Sequence, residues 1–210
     1  MRRGVDRARY DREQIDAILD AGHVAHVGTV RNGAPVVIPM FYVRDGDALL
    51  LHGAPASGVI RRGDAARNDG VEVCVTVTLL DGLVLARSAF HHSVNYRSVM
   101  VIGQAIEVTD PEEKAAALHR FVEGLVPGRQ ADLRPNTSKE IAGTSVLRLS
   151  LDHASAKVRT GDPIDDDEDY ALPIWAGVVP MRTVFDPPIG DARVLDGVDV
   201  PASVMALTTD

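Results

Sequence analysis

The sequence predicts a mainly β fold, with six or seven mostly antiparallel strands closing or nearly closing into a barrel and a few peripheral helices. Three observations carry this. Val71, Val73, Val75, Val77 and Leu79 alternate with Glu72, Cys74, Thr76 and Thr78, the period of a strand with one buried face. Short β-rich runs are separated by turn signals such as Arg31-Asn32-Gly33 and Arg44-Asp45-Gly46-Asp47. Helical spacing is confined to a few short stretches.

Taken in order, Asp11 with Gln14 reads as a helix cap and its capping-box partner. Ile15, Ile18 and Leu19 follow at helical spacing and Gly22 stops them, which predicts a helix over 11–21. Strands are expected over 23–30, 35–43 and 48–52. The alternating run 71–79 leads to Asp81-Gly82, a hairpin signal, and a return strand over 83–90. Residues 56–67 are weakly helical, and 99–109 is another strand. Asp110, Pro111, Glu112 and Glu113 open a better-marked helix with the stripe Leu118, Phe121, Val122 and Leu125, closed by Pro127-Gly128. A short helix is expected over 138–142. The last long strand is 145–158. Its apolar positions switch phase from Leu147, Leu149 and Leu151 to Ala154, Ala156 and Val158, which puts a bulge or bend near Asp152.

From Pro127 onward the chain changes character, holding eight of the 12 prolines. Residues 162–169 carry six carboxylates and read as a solvated loop. The stretch 186–210 is expected to wrap the surface or fray. The domain reading is therefore one barrel domain over 1–182 and a partly irregular extension over 183–210.

The 210 residues are enough for a full core without staples, and 45% of them are apolar. With 30 acidic against 22 basic residues, the net charge is −8. That excludes a broad nucleic-acid footprint or a patch for an anionic membrane, both of which need a positive face. Cys74 is alone, so no intrachain disulfide forms. No apolar h-region follows Arg2-Arg3 and no long apolar run exists, so the cytoplasm is expected.

Dinucleotide-fold and phosphate-loop glycine patterns, a nucleophile elbow and a zinc-protease helix are all missing from the sequence. His23 and His26 fall on opposite faces of a predicted strand, as do His91 and His92, so no metal site is expected. Two polar segments remain. Residues 51–62 run from a strand end through small residues toward a helix start, followed by Arg61-Arg62, an arrangement that suits a phosphate or equally a plain capped turn. Residues 86–98 pack two Arg, three Ser, two His, one Asn and one Tyr between apolar strands. Such a density of donors satisfies a phosphate or a polar heteroaromatic ring, or else lines a long solvated loop.

The stretch Arg87-Ser88-Ala89-Phe90-His91-His92-Ser93-Val94-Asn95-Tyr96-Arg97-Ser98, with Val73–Thr78 before it, resembles the flavin-nucleotide-binding, nitroimidazole-reductase group of the pyridoxamine 5′-phosphate oxidase-like superfamily. Gly33-x-Pro35-Val36-Val37-x-Pro39, Leu51-His52-Gly53 and Trp175–Pro180 fit the same pattern, so the similarity spans about residues 11–182. It implies a split β-barrel homodimer that binds FMN between protomers. Pro39, Met40 and Phe41 would then follow the edge of the isoalloxazine, with His52, Gly53 and Ser57 near the ribityl phosphate. Arg87, Ser88, Ser93, Asn95 and Tyr96 would border the cleft, and Trp175 would cap the ring. Relatives often carry a basic residue at 56–58, where this chain has Ala56-Ser57-Gly58; Arg61, Arg62 or an arginine of a partner chain would then supply the phosphate's cation, or Gly58 would let backbone N–H groups come closer.

The implied activity is an FMN-dependent oxidoreductase that takes electrons from a reduced nicotinamide, or another small donor, and passes them to a small acceptor. His52 and Tyr96 are the candidates for proton supply, His52 because imidazole titrates near neutrality. The alternative is a carrier or sensor that holds flavin, haem or a deazaflavin without turnover.

Overall fold

Strand period, two well-capped helices and a set of left-handed glycines determine where the chain turns. The computed structural model describes residues 7–53 and 70–208. Its strands are β1 (Ala8–Arg9), β2 (Val24–Arg31), β3 (Ala34–Asp45), β4 (Ala48–Gly53), β5 (Val71–Leu85), β6 (Ser93–Glu107), β7 (Ser145–Ser150), β8 (Ala154–Arg159) and β9 (Gly177–Pro180). The helices are α1 (Arg12–Ala21), α2 (Pro111–Leu125), α3 (Ser138–Gly143) and α4 (Ala202–Met205). Strands are hydrogen-bonded in the order β1-β8-β6-β7-β4-β3-β2-β5-β9, and a further β5–β6 pairing makes that order return on itself, the topology of a split β-barrel. The predicted helix over 56–67 lies outside the described residues. Among the described residues, no helix is long and apolar enough to cross a membrane.

The chain divides into two compact units. The first comprises Met1–Pro39, Glu72–Gly103 and Leu151–Arg182. Here β5 buries Val73, Val75 and Val77, as its alternation requires. Asp11 accepts the Gln14 N–H at 3.0 Å, and α1 turns Ile15, Ile18 and Leu19 into the core. At Asn32 and Gly33, φ values of 50° and 79° make the tight turn that Asn-Gly forecasts.

Four expectations need correcting. Asp81-Gly82 is no hairpin: β5 runs straight through it to Leu85, and Gly82 keeps a negative-side backbone. Two longer-range interactions outweigh the local turn preference. Arg97 grips the Asp81 carboxylate through Nε at 2.9 Å and a terminal nitrogen at 2.7 Å, and β9 pairs Pro180 with Gly82. A Cβ on Gly82 would stand 2.9 Å from the Val179 carbonyl oxygen, so the glycine serves close strand approach instead. Second, β6 starts at Ser93, well before Val99, and pairs with β8 in the register Tyr96↔Arg159 to Val101↔Ala154. Third, the expected strand over 145–158 is two, separated at Leu151–His153, where the Ala154 N–H donates to the Leu151 carbonyl at 3.1 Å. Fourth, the acidic loop is not wholly solvated, because Asp165 is buried. With β1 and β9 the strands number nine among the described residues, two more than the sequence count allowed.

The second unit comprises Met40–Val71, Gln104–Ser150 and Thr183–Asp210. β4 lies between β3 and β7, and Ala48, Leu49, Leu50 and Leu51 are all buried. Pairing of Val43 with Leu50 sets one face of these strands toward α2, where Leu50, Val108, Ala117, Phe121 and Val146 form the core with Phe41, Val43 and Leu118. α2 begins as predicted: one Asp110 carboxylate oxygen accepts the Glu112 and Glu113 N–H groups at 3.0 and 2.8 Å, with Pro111 at the first position. Asp45 ties sheet to helix by accepting from Arg120 and Arg148, each at 2.8 Å. In the C-terminal segment, the Ser203 hydroxyl donates to Asp132 at 2.6 Å.

Two outcomes follow. Phe121→Ala should lower unfolding free energy by about 3–5 kcal/mol, read from a urea transition, since it empties the centre of this core. Gly82→Ala should cost about 1–3 kcal/mol and expose the segment after Asp169 to limited proteolysis, because the added methyl pushes β9 away.

Candidate functional site

In the first unit, β5 ends at Leu85 and β6 begins at Ser93, so the polar segment 86–98 is half connection and half strand. The connection carries one turn of 3₁₀ helix, Ala89–His91. Arg87 is fixed from both ends. Its backbone N–H donates to one Asp165 oxygen at 2.9 Å and its guanidinium to the other at 3.0 Å, while the guanidinium carbon lies 4.8 Å from the Tyr170 ring centre. Burial by itself would raise the Asp165 pKa. Hydrogen bonds from the Arg87 N–H, the Arg87 guanidinium and the Ser88 N–H outweigh it and hold the carboxyl below its ordinary value.

Arg87 Nε and Ser88 Oγ are buried without a hydrogen-bond partner among the described residues. Leaving such a group unpaired costs about 1–3 kcal/mol. Two of them on adjacent residues mark a place where the chain supplies donors and something else supplies acceptors.

The neighbouring polar residues are engaged differently. His91 Nε2 lies 3.3 Å from Asp166, and His92 Nδ1 lies 2.8 Å from the Ser88 carbonyl. Asn95 is buried with both ends of its amide occupied: its nitrogen donates to the Gly161 carbonyl at 3.1 Å and its oxygen accepts from Arg159. It therefore positions 159–161. Tyr96 is half-buried, with the Lys157 ammonium 5.8 Å from its ring centre. Ser93 opens β6, half-buried, and Trp175 is exposed with its ring across Gly177. Pro39 is exposed on β3.

In the second unit, β3–β4 pairing puts Phe41 beside His52 on the face toward α2. The His52 ring meets Phe121 edge-on at 4.4 Å and Phe41 at 6.3 Å. A cavity of about 290 Å³ adjoins them, lined also by Leu118, Leu125, Asn136 and Thr144. Burial lowers the His52 pKa, which keeps the imidazole neutral at pH 7. A neutral ring among phenylalanines can relay a proton but contributes no charge toward a phosphate. Met40 and Gly53 are half-buried on β3 and β4. Ser57 and Arg61 lie outside the described residues.

Three contributors escaped sequence reasoning: Asp165, Tyr170 and Phe121. For Asp165 the available signal was Pro163-Ile164, an apolar pair inside the acidic run; the structure buries Pro163. Tyr170 gave none beyond its aromaticity, and Phe121 was legible only as a member of the apolar stripe of α2.

Comparison with known proteins places this architecture. The profile of the pyridoxamine 5′-phosphate oxidase family matches residues 11–158. Among solved structures, the flavocytochrome Anf3 from Azotobacter vinelandii is 45% identical, with a TM-score of 0.91 over 100% of this chain and 96% of its own. The FAD and heme binding protein from Mycobacterium smegmatis is 38% identical, with a TM-score of 0.90 over 96% of this chain and 97% of its own. A candidate 5-nitroimidazole antibiotic resistance protein from Bacteroides thetaiotaomicron is 26% identical, with a TM-score of 0.59 over 72% of this chain and 86% of its own. No curated protein matches the chain. With more than half its residues matched by that profile, the chain belongs to the pyridoxamine 5′-phosphate oxidase family.

Proposed function

We propose that this chain is a flavin-binding redox protein of flavocytochrome type, which also takes up haem and moves electrons from a reduced nicotinamide or similar donor to a small acceptor. The observation that carries the flavin is the pair of buried, unpartnered groups at Arg87 and Ser88. They lie within the segment that resembles flavin-binding relatives, and their chemistry fits an acceptor-rich ring or phosphate. Haem is supported by the two full-length relatives, a flavocytochrome and an FAD and heme binding protein.

When bound, the flavin supplies reversible one- and two-electron chemistry. Arg87 and Ser88 donate to its acceptors, and Asp165 fixes the guanidinium that does so. Asn95 holds 159–161 behind β6, leaving Tyr96 as the candidate for proton transfer on this unit. His52, neutral and half-buried, can hold or release a proton in its own cavity. The active form is read as a homodimer, with a second copy covering the exposed ring of Trp175. The resemblance implies FMN, whereas the mycobacterial relative is an FAD and heme binding protein.

Purified protein should be yellow, and chromatography of the released cofactor should return FMN or FAD. A colourless protein that takes up neither would end the proposal. Anaerobic bleaching by NADH or NADPH distinguishes the oxidoreductase from a carrier. Arg87→Ala should weaken flavin binding ten- to a hundredfold, the loss of one charge-assisted hydrogen bond of about 1.5–3 kcal/mol.

The sign of the acid dependence follows from Asp165. Its folded pKa lies below the unfolded one, so the Arg87 anchor is intact above the ordinary carboxylate range and is lost as pH falls through the depressed value. Flavin fluorescence quenching should therefore persist to about pH 4 and fail only below it, while Asp165→Asn should bind more weakly at every pH.

A further inference from the structure

We infer that the segment 183–200 of one copy docks on a second copy of this chain, over the strip formed by Trp175, Val179 and Leu83, and that two such contacts close the homodimer. The inference rests on the homodimer reading above and names the segment and its seat. Every residue from Val179 to Val200 is exposed. The segment is nevertheless not a loose tail. At its near end the Met181 N–H donates to the Asp81 carbonyl at 3.0 Å, and beyond its far end the Ser203 hydroxyl donates to Asp132 at 2.6 Å. In between, Pro187-Pro188 restricts the backbone, and the Val194 and Val198 N–H groups close two turns onto the Asp191 and Leu195 carbonyls at 3.0 and 3.2 Å.

The side chains along this run are those of an interface. Ile189 is 97% exposed, Leu195 77% and Val198 62%. A segment that only spans solvent is polar or flexible. One that is apolar and already shaped loses little freedom when it docks. Asp186, Asp191, Asp196 and Asp199 are interspersed among the apolar residues, which turns the segment away from an anionic bilayer and toward protein.

The seat is built in the first unit by β9 and β5. A Cβ on Gly177 would stand 3.1 Å from the Trp175 ring, so the indole lies on the face toward which residue 177 points. Val179, two residues along β9, points the same way, and Leu83 shares its face as its direct partner on β5. All three are exposed, so the strip and the segment both stay bare in a single copy. Each copy therefore offers an apolar segment and an apolar seat, the self-complementary pair that an isologous dimer requires. The segment follows the strip directly in the chain, so a two-fold axis beside Arg182 lays each segment over the other copy's strip. A standard interface takes roughly 20–30 residues from each side, about the length of the exposed run.

The test measures the mass of the full chain by light scattering in excess flavin. Wild type should give twice the 22.5 kDa of one chain. Leu195→Lys on the segment and Val179→Glu on the strip should each raise the dimer dissociation constant at least about tenfold. Circular dichroism reports the folding of each variant, and Leu83→Glu takes the place of Val179→Glu if that spectrum departs from wild type. Mixed in equal amounts, the two variants should recover a heterodimer. One of its contacts is wild type on both sides, and the other sets the introduced ammonium against the introduced carboxylate. Variants that dimerise like wild type overturn the inference and leave the homodimer reading standing. Variants that dissociate but stay apart on mixing overturn the seat. A wild type that remains a monomer in excess flavin overturns both readings.

Discussion

The candidate site of the first unit depends on one ion pair, Arg87 with Asp165. An arginine in a connection between strands has four rotatable side-chain bonds and would ordinarily sample many positions. Here it is held by a carboxylate with no side-chain exposure, by a second bond from its own backbone, and by the face of Tyr170. This arrangement determines which guanidinium nitrogen remains to act on something else. One terminal nitrogen is committed to Asp165, and Nε is buried without a partner among the described residues. A buried pair of this kind contributes little net stability, because desolvation offsets attraction. Its value lies in orientation, the property that a binding site requires of its polar groups.

The second unit uses a different device. Its cavity is apolar, and the one titratable ring that meets both phenylalanines is kept neutral by its surroundings. Strand period alone accounts for this: Phe41 and Val43 on β3, and Leu50 and His52 on β4, point to the side that α2 covers. One unit thus presents fixed charge and unpaired donors, and the other presents an uncharged aromatic niche.

Legibility in the sequence followed the range of the interactions. Local physics was readable: the alternation of Val71–Leu79, the cap at Asp110, the Asn-Gly turn and the phase switch at Asp152 all appear where the residues put them. Asp81-Gly82 misled because its turn preference is overridden by Arg97, 16 residues away, and by β9. The phase switch located the break near Asp152 but could not show that the strand becomes two, since β6 pairs with both halves. Asp165 was hidden among five other carboxylates, and only a partner 78 residues away removes it from water. Polar density draws attention to the 86–98 segment, but nothing local separates the side chains that brace the fold, such as Asn95, from those with a free nitrogen or hydroxyl.

Asp45 and Asp81 share a chemical hazard, because each precedes a glycine and such a step is prone to cyclise when the carboxyl swings onto the following backbone nitrogen. Both carboxyls are held elsewhere, Asp45 by Arg120 and Arg148 and Asp81 by Arg97. The same guanidinium contacts that join strand to helix and strand to strand therefore also slow the covalent ageing of the polypeptide at these two steps.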